Sequence, residues 1–184
     1  NYDRVIVSES RDVDAAFASD GVMPYLLEQK KQGRIRFLGF SAHSEEAALA
    51  AMERYDFDSI LFPINFACWY EGSFGPRVVE TARKKGAARL ALKAMAKQRW
   101  PQGAPLRQKY SKCWYQPLIE REQARLGLYW TLSQPVTAAI PPGEEECFRT
   151  AMDLAMNYKP LAAEDVDRLQ RMALTLEPVF RANA

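Results

Sequence analysis

The sequence predicts an α/β chain of about five parallel strands with flanking helices. Short apolar runs alternate along the chain with stretches of helical length. Helix punctuation falls between them: Ser44 and Pro76 at helix starts, Gly33 and Gly86 at helix ends. No linker, low-complexity tract or short repeat interrupts this alternation, so residues 1–184 read as a single domain.

The elements follow in order. Arg4 to Ser8 is a buried strand, extending back to Tyr2. Met23 to Gln32 is a helix stopped by Gly33, and Ile35 to Ser41 is the second strand. Ser44 caps a helix from Glu45 to Arg54, with acidic residues in its first turn as the helix dipole favours. Asp58 to Ile64 is the third strand, Pro76 to Lys85 a helix, and Arg89 to Lys93 the fourth strand. A long loop, Ala94 to Leu118, leads to a helix from Leu118 to Leu132 and a short fifth strand from Val136 to Ile140. Two helices follow, Glu144 to Asn157 and Ala163 to Leu176.

Bulk composition excludes several classes. Hydrophobic residues are 48% and charged residues 26%, the balance of a globular chain. A net charge of +2 does not argue for nucleic acid. No apolar run approaches the roughly 18 residues of a membrane helix, and no signal peptide is visible. Cys68, Cys113 and Cys147 form no C-x-x-C pair, which favours reduced thiols and a cytoplasmic location over a disulfide framework or structural zinc. The length of 184 residues is short of the roughly 250 typical of a closed eight-unit barrel. The chain begins at Asn1 without Met and is strand-like by Tyr2, so an N-terminal segment is expected upstream.

In β/α barrels the functional groups lie at the C-terminal ends of the strands. That rule selects Ser8, Glu9, Ser41, His43, Asn65, Lys93 and Gly143. His43 suits a general acid–base or substrate contact, or else fixes the following helix start. Lys93 ends an apolar strand, where desolvation favours anion binding or a lowered pKa; the competing reading pairs it with a carboxylate on a neighbouring strand. Glu9 clusters with Asp12 and Asp14, with Glu71 further on; carboxylates about 5–10 Å apart cleave glycosides, whereas solvated loop acids do not. The Ala94–Leu118 loop carries Lys97, Arg99, Arg107, Lys109 and Lys112 and no acid, interleaved with Trp100, Tyr110, Trp114 and Tyr115. Such a loop offers cations to a phosphate and aromatic faces to a base, with Trp100 the candidate cofactor platform, or else is a basic surface packed down by its aromatics. The Lys30, Lys31, Arg34, Arg36 cluster and the Arg83-Lys84-Lys85 run read as solvated faces.

Gly33 to Ser44, Gly-Arg-Ile-Arg-Phe-Leu-Gly-Phe-Ser-Ala-His-Ser, resembles the fifth-strand signature of bacterial aldo-keto reductases. Leu61 to Asn65 is similar to their sixth strand, Leu90 to Met95 to the seventh, Val136 to Gly143 to the eighth and its exit, and Ala162 to Asp165 to the opening of the last helix. The resemblance covers nearly the whole chain. It implies a partial TIM-type (β/α) barrel, strands four to eight, and NADPH-dependent reduction of aldehydes or ketones. It implies cofactor contacts from Ser41 to the nicotinamide amide, from Asn65 at the sixth strand's end, and from Gly143 and Arg149 near the adenosine phosphate. The family's catalytic Asp, Tyr and Lys would lie upstream, and the position of its His reads Val7-Ser8. Ala42 stands where Asn is usual and Leu61 where Gln is usual, and Glu144-Glu145-Glu146 replaces a phosphate-binding stretch.

Three functions therefore compete. One is an oxidoreductase with an incomplete catalytic set, acting on a small molecule with NADP. Another is a half-barrel diverged to hydrolysis, for example of glycosides. The last is a non-catalytic remnant; it and the half-barrel reading both predict a homo-oligomer, or an unusual covering of the sheet, because an open sheet has two edges to cover.

Overall fold

The computed structural model describes residues 4–7 and 10–182. Its elements are β1 (Arg4–Val7), α1 (Ser10–Phe17), α2 (Val22–Lys31), β2 (Gly39–Ala42), α3 (Glu45–Arg54), β3 (Ser59–Pro63), α4 (Phe66–Tyr70), α5 (Pro76–Lys84), β4 (Ala88–Leu92), β5 (Ala96–Arg99), β6 (Tyr115–Pro117), α6 (Arg121–Ser133), β7 (Ala138–Ala139), α7 (Glu145–Met156) and α8 (Ala163–Ala173). Packing divides the chain into two compact units, Asn1–Phe62 with Gly75–Leu90, and Pro63–Phe74 with Ala91–Ala184. The division runs through β3 and β4 rather than through a loop, so no change of composition marks it.

In the first unit the strands run in the order β1-β2-β3-β4. β1 pairs parallel with β2 and β2 with β3, with Val5 opposite Phe40 and Phe40 opposite Ile60. The expected parallel α/β arrangement with flanking helices is borne out. α3 turns Ala47, Ala48, Ala51 and Met52 inward, a one-sided helical spacing, and α5 buries Val78, Val79 and Ala82. Phe57 closes this core, with its ring centroid 4.6 Å from that of Phe40 and 4.9 Å from that of Tyr55. Burying Met52, Val78, Val79 or Phe57 contributes roughly 1.5–3 kcal/mol each, and each alanine less.

The caps follow the sequence. The Ser44 hydroxyl accepts from the backbone N of Ala47, and Gly33 and Gly86 turn past their helices with φ of 74° and 73°. β2 differs from expectation: its ladder starts at Gly39, four residues after Ile35. Ile35 and Leu38 are buried nonetheless, so their apolar pattern reports burial and not strand pairing. The Asp58 carboxylate takes the strand's place, accepting from Leu38 N at 2.7 Å and from Lys30 Nζ at 2.8 Å, while Asp58 N donates to Leu38 O at 2.8 Å. The glycine of the signature is required by close approach: a Cβ at Gly39 would sit 2.2 Å from Ser59 Oγ.

Burial raises the Asp58 pKa, but the hydrogen bonds from Lys30 and Leu38 outweigh it and hold the carboxyl below its ordinary 3.8. A depressed carboxylate contributes stability that is present above its unfolded pKa and lost as pH falls through the folded one. Asp58→Ala is expected to cost about 1–3 kcal/mol at neutral pH, because Leu38 N loses its acceptor, and to flatten the acid limb of a stability–pH curve. Wild-type and variant denaturation midpoints that coincide at pH 7 would refute this.

In the second unit the expected long loop contains an antiparallel hairpin, β5–β6. α6 is its central helix, burying Ala124, Leu126, Leu128, Tyr129 and Trp130. Tyr129 Oη donates towards Leu154 O (3.0 Å) and Asn157 O (2.8 Å), which fixes α6 against α7. Arg125 bridges Glu122 and Asp165, which ties α6 to α8. The expected five-residue fifth strand shrinks to β7, whose neighbour Ile140 donates to Ala91 O at 2.9 Å.

Candidate functional site

The second unit gathers a cluster around Lys93, the residue that follows β4. Lys93 turns out of the strand with φ of 60°, a left-handed conformation that costs a non-glycine residue on the order of 1–3 kcal/mol. The turn is held by Ala96 N donating to Lys93 O at 2.9 Å. Lys93 Nζ lies 5.5 Å from the Trp114 ring centroid and 5.6 Å from that of Phe180. Burial lowers the ammonium's pKa from the ordinary 10.5, and the nearby Cys68 sulfur opposes that shift.

Asn65 and Cys68 form the floor of the cluster. Asn65 caps α4 through Oδ1, which accepts from Cys68 N at 3.0 Å. Asn65 is 1% exposed, and its Nδ2 has no hydrogen-bond partner. An orphaned buried donor is uncommon and marks a place where a ligand's acceptor would be satisfied. Burial pushes the Cys68 thiol up, against the backbone amides of Phe180 and Val179 and the Lys93 charge.

The chain's last described segment covers this floor. Arg99 N donates to Glu177 O at 3.0 Å, Arg181 Nη2 lies 2.9 Å from Glu71 Oε1, and Ala182 N donates to Gly72 O at 2.8 Å. Phe180 stacks on Phe74 at 5.3 Å and meets Trp114 edge-on at 6.0 Å. The approach is so close that a Cβ on Gly72 would lie 2.4 Å from Phe180 O and 2.6 Å from Cys68 O. Sequence reasoning missed Phe180, Trp114's part in the cluster and Cys68. The only advance signal was an apolar pair, Val179-Phe180, after the last helix.

The basic loop is answered by the acidic run. Lys109 Nζ lies 2.9 Å from Glu146 Oε2, Lys112 N donates to Glu144, and Arg149 pairs with Glu145 one turn away at 2.7 Å. The hydrogen bond between Lys109 and Glu146 raises the lysine pKa and lowers that of the glutamate. Trp100 Nε1 donates to Cys113 O at 2.8 Å, tying the hairpin loop together. Gly143 is exposed, and a Cβ there would meet nothing within 4 Å, so no crowding requires glycine.

Among the residues selected from sequence, Lys93 and Asn65 therefore meet around Cys68. Trp100, Gly143 and Arg149 lie elsewhere in the same unit. Ser41, 2% exposed within β2, and the half-buried His43 belong to the first unit. Glu9 and Ser8 lie outside the described residues. Two of the four acids weighed for glycoside cleavage are engaged with arginines: Asp14 is part of α1 and bridges to Arg54, and Glu71 holds Arg181. Among the described residues no group of three His, Cys, Asp or Glu side chains is placed to hold a metal, and no helix is long and apolar enough to cross a membrane.

No protein-family model matches the chain, and no curated protein matches it. The solved structures it resembles are aldo-keto reductases. The holo form of an aldo-keto reductase from Bacillus halodurans matches 96% of this chain with a TM-score of 0.60 and 16% identity. An aldose reductase from Giardia lamblia matches 85% with a TM-score of 0.58 and 13% identity, and one from Schistosoma japonicum 85% with 0.52 and 15%. The likeness covers 60%, 51% and 48% of those three chains, so this chain spans between about half and three-fifths of their length. At such identities the likeness establishes the fold.

Proposed function

We propose, taking the aldo-keto reductase fold as the premise, that this chain is part of an oxidoreductase that reduces an aldehyde or ketone, with Lys93 holding the carbonyl oxygen. The observation that carries the reading is the half-buried Lys93 ammonium, set at a strand's C-terminal end beside Trp114 and Phe180. The aromatic faces attract a cation and form apolar walls. Desolvation makes the ammonium a stronger acid than a free lysine, closer to the strength general acid catalysis needs near neutrality. As negative charge develops on the carbonyl oxygen, the ammonium stabilises it, and a proton passes from Nζ to that oxygen to leave the alcohol. Lys93 then regains its proton from water.

A nicotinamide dinucleotide supplies the hydride when bound. The orphaned Asn65 Nδ2 fits a carboxamide or ribose oxygen of such a group. The 2′-phosphate of NADP does not fit as well: Arg149 is spent on Glu145 within an acidic run, so an unphosphorylated adenosine is the better match at that end.

The test is an absorbance assay of NADH and NADPH oxidation by the chain with a panel of aldehydes and ketones, beside fluorescence titration of each cofactor. Turnover with NADH favoured over NADPH is expected. No oxidation of either cofactor with any carbonyl compound would end the reading.

A further inference from the structure

Trp114, whose ring neighbours Lys93, also lines a second space. An open hollow of about 710 Å³ on the surface of the basic loop is lined by Trp114 together with Gly103, Pro105, Arg107, Gln108 and Ser111, all of them exposed. Its polar wall is one-sided in charge, with a guanidinium, an amide and a hydroxyl and no acid. The neighbouring acids are already committed, Glu146 to Lys109 and Glu144 to Lys112 N. Arg99, the other arginine of this loop, is turned to the tail through Glu177 and Val179 O. Arg107, which ends the 3-10 turn Pro105–Arg107, forms no ion pair among the described residues, so its charge is uncompensated where it lines the hollow.

We infer that this hollow receives the anionic end of the substrate, which is then a carbonyl compound bearing a carboxylate. This rests on the reading of Lys93 as the carbonyl-holding group. The guanidinium presents two parallel N–H donors, which match a carboxylate edge to edge, and Gln108 and Ser111 add donors alongside. The two sites share Trp114: Lys93 Nζ lies 5.5 Å from its ring centroid, and the same residue lines the hollow. A planar, conjugated aldehyde acid has an apolar middle suited to that ring and a polar group at each end.

The test is calorimetric titration of the whole chain with 4-carboxybenzaldehyde, 4-methylbenzoate and benzaldehyde. Both carboxylates are expected to bind at least about tenfold more tightly than benzaldehyde, a difference Arg107→Ala abolishes and Arg107→Lys keeps in part. Arg107 is exposed on a short turn, so circular dichroism of the variants should match wild type. Equal affinity for the three compounds, absent binding included, overturns the inference, as does a preference that survives Arg107→Ala. 4-Methylbenzoate has no reducible carbonyl. Arg107-dependent binding of it without turnover of the aldehydes would leave the anion site standing and reject the reductase reading alone.

Discussion

Trp130→Ala is expected to destabilise the chain by about 3–5 kcal/mol, the range for emptying a large buried aromatic site. Trp130 is 1% exposed in the last turn of α6. Its ring meets Trp69 and Tyr70 edge-on, each at 5.5 Å, and its Nε1 donates to Tyr70 Oη at 2.8 Å. Truncation removes the apolar area, leaves a cavity between α4 and α6, and strips Tyr70 of its donor. Set against a typical domain stability of about 5–15 kcal/mol, this is a large fraction. Trp130→Phe separates the causes: it keeps most of the ring and loses the hydrogen bond, and should cost clearly less than the alanine variant. Urea denaturation reads both, and a loss below about 1 kcal/mol for Trp130→Ala would show that α6 does not depend on this residue.

Lys93→Met should lower the rate of carbonyl reduction by about 100-fold or more, the usual worth of a positioned proton donor. The loss should appear in kcat, since methionine keeps the contacts with Trp114 and Phe180. Lys93→Arg keeps the charge but holds its proton too tightly to give it up, so it should stay slow while binding substrate. The wild-type rate should fall as pH rises through a Lys93 pKa lying below 10.5, and this limb should vanish in Lys93→Met. Stability runs the other way. A lysine whose folded pKa is lowered binds fewer protons folded than unfolded, so its burial opposes folding at neutral pH and the penalty fades as pH climbs towards 10.5. Lys93→Met is thus expected to be inactive and no less stable than wild type. An inactive variant that is also strongly destabilised would assign Lys93 a structural role instead.

Local grammar made much of the fold legible. Ser44, Gly33 and Gly86 mark helix ends in the structure as in the sequence, because a cap or a left-handed turn is a property of a few adjacent residues. The strand-end rule found Lys93 and Asn65 for the same reason. What stayed hidden depends on distant partners. The hairpin strand Ala96–Arg99 has little apolar alternation, and its partner Tyr115–Pro117 lies well down the chain. α1 and α4 are short, eight and five residues, and give too little periodicity to register. Ile35 looked like the start of a strand because burial and ladder pairing leave the same apolar mark, and only the Asp58 carboxylate tells them apart. The Glu144–Glu146 run read as phosphate repulsion, but at least two of its members serve as anchors for the basic loop.

The tail that carries Phe180 sets a clock on the molecule. Arg181 and Glu71 are separated by 110 positions, yet they close the same cluster. At a synthesis speed of about 5–20 residues per second, the ribosome delivers Phe180 roughly 5–20 seconds after Phe74, the ring on which it stacks. During that interval a nascent chain can build α4 and the β5–β6 hairpin, but Lys93 has Trp114 beside it without Phe180. The site around Lys93 is thus finished only once Phe180 has emerged, and a nascent chain stopped short of Phe180 holds a more open, better hydrated lysine than one that carries it.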